Sequence, residues 1–213
     1  MNTAKKLVLI LALIGLQGCA VISKHECLVG DWHRVGFDVA MEGERDADKA
    51  YEKRAKVCAK HGEIANRDDY DAGYAEGLYA YCEVENAVKL GVRGKNSAFE
   101  ICSEEENPGF TAAFEAGYQL NKLRREEAYA QNQLQRIENE ENRVRRRIGD
   151  IRQSIDGSSS EQQRRDAERR VRHLRRDVRS LRYDADGWRE RYYRAKEAAD
   201  AYEQYLELEY EEI

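Results

Sequence analysis

Apolar residues follow a heptad pattern through the C-terminal half of the chain. From residue 111 they recur at alternating spacings of three and four, with a single interruption at residues 157–160. The thirteen positions of the first run, eleven of them apolar, are Ala113, Ala116, Leu120, Leu123, Glu127, Ala130, Leu134, Ile137, Glu141, Val144, Ile148, Ile151 and Ile155. The fourteen positions of the second run, thirteen of them apolar, are Ala167, Val171, Leu174, Val178, Leu181, Ala185, Trp188, Tyr192, Ala195, Ala199, Tyr202, Leu206, Glu209 and Ile213. This spacing predicts coiled-coil helices.

The interruption between the two runs is a short Gly-Ser-Ser-Ser segment at residues 157–160. Two runs of similar length joined by four residues predict an antiparallel helical hairpin over residues 111–213, with its tip at 157–160. Arms of this length reach on the order of 70 Å at about 1.5 Å per residue. The heptads alone leave open whether the coiled coil forms within one chain or between chains.

Glycine and tyrosine alternate along a predicted helix at residues 68–82. Tyr70, Gly73, Gly77 and Tyr81 lie three or four residues apart and so share one side of this helix. Glycine costs a helix about 1 kcal/mol relative to alanine, so two glycines indicate the close approach of another backbone. The aspartates at its start are candidate N-caps.

The same association of glycine with aromatic residues recurs at Gly36, Gly73 and Gly117. An aromatic residue precedes each glycine within four positions and another follows it directly, which predicts three Gly-aromatic helices packed around one another. The pattern also predicts helices at residues 31–43 and 44–60. Residues 86–96, which contain Gly91 and Gly94, are predicted to form a loop.

Residues 1–18 read as a signal peptide, because Lys5 and Lys6 precede a short apolar run. The following Leu-Gln-Gly-Cys at residues 16–19 resembles the bacterial lipobox, which implies that Cys19 is lipidated, with palmitate among its acyl chains, and becomes the first mature residue. In such signals Ala20, in place of aspartate, implies the outer membrane with the protein facing the periplasm. The region from residue 19 to residue 110 is then a helical head.

Four further cysteines lie within the head, and an oxidising compartment predicts two disulfides among them. If helices 44–60 and 68–82 are antiparallel neighbours, Cys58 and Cys82 lie roughly 18 Å apart, beyond the ~7 Å limit for bridging. Two arrangements remain: Cys27–Cys58 with Cys82–Cys102, or Cys27–Cys82 with Cys58–Cys102. The first closes shorter loops, which favours it.

The cysteine, glycine and aromatic residues of the head also carry a resemblance to a known family. The residues concerned are Cys27, Asp31, Trp32, Gly36, Gly43, Cys58, Gly62, Tyr70, Gly73, Gly77, Leu78, Tyr81, Cys82, Gly91, Gly94, Phe99, Cys102, Phe114 and Gly117. Their arrangement resembles a family of uncharacterised Gram-negative lipoproteins with a domain of unknown function, over about residues 19–123. The resemblance implies export and lipidation and carries no activity.

Charge is sorted along the chain, although its net value is only −5. Residues 143–182 hold fourteen arginines against six acidic residues, whereas residues 197–213 hold seven acidic residues and no base. The basic tip is either a solvated face or a surface for an anionic envelope component or an acidic protein, with Arg164, Arg165, Arg169 and Arg172 as candidate contacts. Self-association of acidic ends with basic tips is a third interpretation. Nucleic acid is not expected in this compartment.

No catalytic constellation is present in the sequence. The four histidines are scattered without metal-ligand or nucleophile spacing, and no glycine-rich phosphate loop follows a strand. We therefore expect no catalytic residue, no metal and no cofactor. The sequence predicts an all-α protein with a disulfide-stapled helical head and a long antiparallel hairpin. Its expected role is that of a non-catalytic outer-membrane lipoprotein, a structural or interaction module in the periplasm. The alternatives are a self-associating envelope spacer and an enzyme of unknown substrate.

Overall fold

A computed structural model describes residues 22–210, which contain seven α-helices, one short 3-10 helix and no strand. The helices are α1 (Lys24–Val29), α2 (Trp32–Met41), α3 (Ala47–Ala59), α4 (Arg67–Tyr81), α5 (Val84–Val92), α6 (Phe110–Gln153) and α7 (Glu161–Glu209), with the 3-10 helix at Asn96–Glu100. The predicted all-α class is confirmed. The signal peptide and Cys19 lie outside the described residues.

The described chain forms two compact units. The head unit comprises residues 22–86 and 97–110, and the arm unit comprises residues 87–96 and 111–210. The helices predicted at 31–43 and 44–60 are present as α2 and α3, each shorter at both ends. The loop predicted at 86–96 is wrong, because α5 occupies most of that segment.

Side-chain caps set where the helices of the head begin. The carboxylates of Asp31 and Asp46 each accept a backbone N–H from the residue three positions on, both at 2.9 Å. At α4 the cap is Asn66, whose side-chain oxygen accepts the backbone N–H of Asp69 at 3.2 Å. The predicted aspartate cap is therefore wrong. The aspartates instead lie in the first turn, where they interact favourably with the helix dipole.

The two disulfides pair Cys27 with Cys58 and Cys82 with Cys102, and all four cysteines are buried. This is the first of the two arrangements left open by the sequence. The premise that excluded Cys58–Cys82 is wrong, because α3 and α4 are not antiparallel neighbours. Their N-terminal ends lie together, with the Tyr70 hydroxyl donating to the Ala47 carbonyl oxygen at 3.1 Å.

The main partner of α4 is α2, and their backbones touch at glycines. A β-carbon added at Gly73 would overlap the carbonyl of His33, and one added at Gly77 would overlap the carbonyl of Phe37. Gly36 faces the α4 backbone in the same way. The contacting residue numbers rise together along the two helices, so α2 and α4 run parallel. Only glycine lets helix backbones approach this closely.

Tyrosines close over this crossing and tie it to the rest of the head. Tyr70 is fully buried, and burial raises its pKa to about 12. The Tyr74 hydroxyl donates to the Glu44 carbonyl oxygen at 2.7 Å. Tyr81 is also buried, which raises its pKa above the usual tyrosine value. Tyr70 and Tyr74 therefore each combine an aromatic contact with a satisfied hydroxyl.

A second crossing of the same type lies in the arm unit, between α5 and α6. A β-carbon at Gly91 would overlap the Phe114 carbonyl, and one at Gly117 would overlap the Val88 carbonyl. The predicted arrangement of three helices around one another is therefore wrong, because the glycines form two separate helix pairs. Gly91 sits inside a helix for the same reason as Gly73, while Gly94, with φ of +69°, ends that helix.

The two crossings belong to two copies of one sequence motif, Cys-x8-Gly followed by Cys-x11-aromatic-x2-Gly-Tyr. The first copy is Cys27, Gly36, Cys58, Tyr70, Gly73 and Tyr74, and the second is Cys82, Gly91, Cys102, Phe114, Gly117 and Tyr118. Each copy closes one disulfide, one glycine crossing and one stacked aromatic pair. Residues 27–118 are therefore an internal duplication. The second copy is shorter than the first, because fewer residues separate Gly91 from Cys102 than separate Gly36 from Cys58.

The copies differ at one informative position. Gly77 of α4 lies against the Phe37 carbonyl, whereas the matching residue of the second copy is Asn121. Its side-chain amide donates to the Val92 carbonyl oxygen at 2.8 Å, which is the carbonyl that corresponds to that of Phe37. A hydrogen bond in the second copy thus replaces the backbone contact of the first.

We expect Gly73→Ala to lower the free energy of unfolding of the head by about 3 kcal/mol or more, because backbone atoms, which cannot move aside as a flexible side chain could, occupy the β-carbon position. The matched control is Gly187→Ala, also in a helix but with nothing within 4 Å of the added carbon. It should instead raise helix stability by up to about 1 kcal/mol. Chemical denaturation followed by circular dichroism measures both, and similar effects of the two substitutions would contradict the backbone contact.

Candidate anion-binding surface

Helices α6 and α7 pair as the predicted antiparallel hairpin, which is confirmed. Cross-helix ion pairs join Arg182 to Glu141 at 2.9 Å and Arg189 to Glu138 at 3.1 Å, so residue numbers on one helix rise as those on the other fall. Every described heptad position is buried or half-buried except Glu209, which is exposed. The last heptad position, 213, lies outside the described residues. These heptad positions form the apolar interface between the two helices, called the seam below, and so determine which side chains face solvent.

Carboxylates fill the two polar positions of the first heptad run. Glu141 accepts hydrogen bonds from Arg145 on its own helix, at 2.8 Å, and from Arg182 across the seam, at 2.9 Å. These two guanidinium groups lower the pKa of the Glu141 carboxyl. Glu127 pairs with Arg124 at 2.8 Å, and Arg124 also reaches acidic residues of α7. Ionic links across the seam replace apolar packing at these levels.

The turn at the hairpin tip is held by its own side chains. Asp156 accepts from the backbone N–H of Ser158 at 2.9 Å and from both adjacent serine hydroxyls, which lowers the pKa of its carboxyl. Ser160 caps α7 and forms a reciprocal capping box with Gln163. The tip therefore presents the first turns of α7 and the last turns of α6 in a defined arrangement.

The four arginines predicted as the anion-binding surface all have internal partners. Arg165 pairs with Glu161 at 2.9 Å, Arg169 with Asp166, and Arg172 with Glu168 at 3.6 Å. Arg164 donates to the carbonyl oxygens of residues 156 and 157, both at 3.3 Å, and closes the tip. The three ion pairs are solvent-exposed and worth about 0–1 kcal/mol each, so they reduce the local charge without burying it.

Seven other arginines in this part of the arm carry the unbalanced charge. Within residues 22–210 no carboxylate lies within 4.0 Å of their guanidinium groups, and all seven are exposed: Arg146, Arg147, Arg152, Arg170, Arg175, Arg176 and Arg179. The sequence prediction missed them because it took its four candidates from the arginine-rich run without setting aside the arginines that have an acidic residue three or four positions away. A signal existed for Arg175, Arg176 and Arg179, which have no acidic residue three or four positions away.

Four arginines of the distal arm line an open groove of about 550 Å³ between α6 and α7. They are Arg152, Arg164, Arg172 and Arg175, and the single carboxylate among the lining residues is Glu168. The rest of the lining is apolar: Ile151, Ile155, Ala167 and Val171. This groove brings unpaired positive charge together with accessible hydrocarbon.

The head also contains a cavity lined by charged groups, several of which pair with each other. This cavity of about 570 Å³ is lined by charges of both signs, and there Arg34 binds Asp38 at 2.8 Å while Arg54 lies 3.6 Å from Glu42. No group of three or more metal-ligating side chains occurs between residues 22 and 210. Within that range no helix combines the length and apolarity needed to cross a membrane.

Comparison with known proteins gives a family match. Residues 31–119 match the model of a family described as protein of unknown function (DUF2799). The match begins at the N-cap of α2 and ends directly after Tyr118, so it contains both glycine crossings and stops where the long part of the arm begins. The resemblance to a domain of unknown function is thereby confirmed. No curated protein and no solved structure matches the chain.

We expect the arm of Glu141→Gln to lose less thermal stability than the wild-type arm when the pH falls below about 4. The folded-state pKa of Glu141 is lowered, so the stability it contributes is present above its unfolded pKa and disappears as pH falls through the folded value. Melting followed by far-UV circular dichroism at neutral and acidic pH measures this. The control Glu190→Gln removes an exposed carboxylate 3.5 Å from Arg194 and should keep the wild-type acid dependence.

Proposed function

We propose that this protein is a non-catalytic, lipid-anchored module of the bacterial cell envelope, whose arginine-rich arm binds an anionic envelope component. The observation that carries the proposal is the set of seven exposed arginines that lack a carboxylate partner within residues 22–210. They lie on both helices in the half of the hairpin that contains the tip, on a support whose seam is packed.

The chemistry of the partner follows from the residue type. A guanidinium group donates two parallel hydrogen bonds in one plane, which matches the spacing of two oxygens of a phosphate or carboxylate. It also stays protonated at any physiological pH. An acidic group bound at an unpaired arginine does not first have to break an internal ion pair. The unpaired arginines are therefore the stronger candidate contacts, and Arg165, Arg169 and Arg172 are secondary ones.

The anchor rests on the sequence of residues 16–19, which lie outside the described structure. A cysteine carrying several acyl chains holds a protein firmly on a bilayer, whereas one chain binds only marginally. With Ala20 after the cysteine, the proposed location is the outer membrane, on its periplasmic side. The protein then meets lipid phosphates and cell-wall carboxylates in the same compartment.

Self-association is a second candidate, because residues 197–213 hold seven acidic residues and no base. Asp200 is engaged by Arg124 and Lys196, each at a distance of 2.7 to 2.8 Å. Glu197, Glu207 and Glu209 have no ion-pair partner in the described part of the chain. Acidic ends and basic tips of two molecules could therefore pair, and the size in solution at low and high salt tests this.

We expect wild-type cells fed labelled palmitate to incorporate it into this protein, and Cys19→Ser to abolish the label, because the thiol is the acceptor. The variant should also leave the membrane fraction. The control is Cys27→Ser, which removes a cysteine whose sulfur lies in a disulfide and should keep the label. Labelling of Cys19→Ser at the wild-type level would contradict the anchor.

We expect the non-acylated full chain (Cys19→Ser) to bind anionic probes with a strength that falls as salt rises. The probes are phosphatidylglycerol vesicles and soluble inorganic polyphosphate, with phosphatidylcholine vesicles as a neutral reference. Replacing Arg146, Arg147, Arg176 and Arg179 by glutamine should weaken binding roughly tenfold or more, since each exposed cation contributes about 1 kcal/mol at an anionic surface.

The matched control replaces Arg143, Arg165, Arg169 and Arg194 by glutamine, which removes the same charge from arginines that already have carboxylate partners. It should weaken binding less, with unchanged helicity in both variants. Absence of binding to every anionic probe would contradict the proposed function.

A further inference from the structure

The groove between the last turns of α6 and the first turns of α7 combines two chemistries that a single ligand can satisfy. We propose that it binds an anionic lipid, with the lipid phosphate at the arginine rim and the adjoining acyl segment on the apolar floor. This inference rests on the proposed function and names the ligand class for one part of the basic surface. At about 550 Å³ the groove falls in the size range of small-molecule sites.

The rim carries an excess of positive charge that nothing in the groove balances. Arg152 and Arg175 have no carboxylate within ion-pair distance in the described chain, and Glu168 lies 3.6 Å from Arg172. Arg164 donates to two backbone carbonyls and has no carboxylate within ion-pair distance among residues 22–210, which leaves its charge uncompensated. The four guanidinium groups share one carboxylate, so their positive charges repel each other. A bound phosphate reduces this repulsion, and its oxygens accept hydrogen bonds from several of the guanidinium N–H groups.

The floor explains why the ligand is a lipid and not a soluble polyanion. The apolar seam of α6 continues to Ile155. On α7 the residues that line the groove with it are the small Ala167 and the charged Arg164, which lies one heptad before Val171. The seam is therefore underfilled at this level, and Ile155 is only half-buried. A polyanion would neutralise the rim and leave this hydrocarbon in water, whereas an acyl segment covers it at about 25 cal/mol per Å².

The acidic C-terminal segment of a second copy matches the rim less well. It offers carboxylates, but its seam residues Ala199 and Leu206 are buried in its own hairpin. In the described part of that segment the exposed large hydrophobic side chains are Tyr205 and Leu208. The second copy is therefore kept as an outcome of the test.

The test uses the non-acylated full chain (Cys19→Ser) with phosphatidylglycerol vesicles and with inorganic polyphosphate. We expect the pair Arg152→Gln and Arg175→Gln to weaken vesicle binding roughly tenfold or more. The control pair Arg146→Gln and Arg179→Gln removes the same charge from exposed, unpaired arginines outside the groove. It should weaken vesicle binding by a factor severalfold smaller than the groove pair does. Ala167→Phe fills the groove without changing charge, so it should weaken binding to vesicles and leave binding to polyphosphate unchanged.

A second variant guards against a folding defect in the filled groove. Ile155→Ser lies at the end of the seam, beyond the last turn of α6, and removes floor hydrocarbon without adding bulk. It should weaken vesicle binding in the same direction as Ala167→Phe, with wild-type helicity.

The outcomes separate this inference from the function on which it rests. If the arm binds the anionic probes, but the groove pair and the control pair weaken vesicle binding equally and Ala167→Phe has no effect, the groove is not a lipid site and the proposed function stands. If vesicles and polyphosphate both fail to bind the Cys19→Ser chain with all its arginines in place, both proposals are overturned. Salt-sensitive dimerisation that is lost in Arg152→Gln with Arg175→Gln, without vesicle binding, would give the groove to a second copy.

Discussion

Contact between helix backbones at glycine is the constraint on which the head of this protein depends. At Gly73 the space of a β-carbon is already taken by the carbonyl of His33, so α2 and α4 can meet only if this residue has no side chain. The contact in turn sets where Tyr70 and Tyr74 lie, because both flank the same glycine on α4. Their hydroxyls then satisfy the carbonyls of Ala47 and Glu44, which fixes the entry into α3.

The chain contains this glycine contact between helix backbones twice. In the second copy the carbonyl of Val92 receives a hydrogen bond from Asn121, where the first copy brings Gly77 against the carbonyl of Phe37. One backbone group is thus accommodated by close packing in one copy and by a side-chain donor in the other. The family match over residues 31–119 ends with this duplication, so the arm beyond it is a separate structural solution, built on heptads and ionic links.

The arm shows why counting charges differs from locating them. Residues 143–182 carry fourteen arginines, and several of these are occupied by an acid three or four positions away on the same helix. What remains is a smaller set whose charge is unbalanced, partly gathered around a groove with an apolar floor. A functional surface in a helical hairpin is therefore defined by the arginines left after local pairing.

The sequence by itself determined the two long helices of the arm and the break between them, because heptad spacing and a four-residue break act locally. It left open whether the two helices pair within one chain or between chains. It also indicated that Gly73 and Gly77 meet another backbone, since two glycines in one helix need a compensating contact. The tertiary structure decided which backbone that was and showed that Gly91 lies in a helix and not a loop. It also decided which arginines stay unpaired. These outcomes depend on residues far apart in the chain or on competition between neighbouring partners, and the local spacing of residues in the sequence does not predict either.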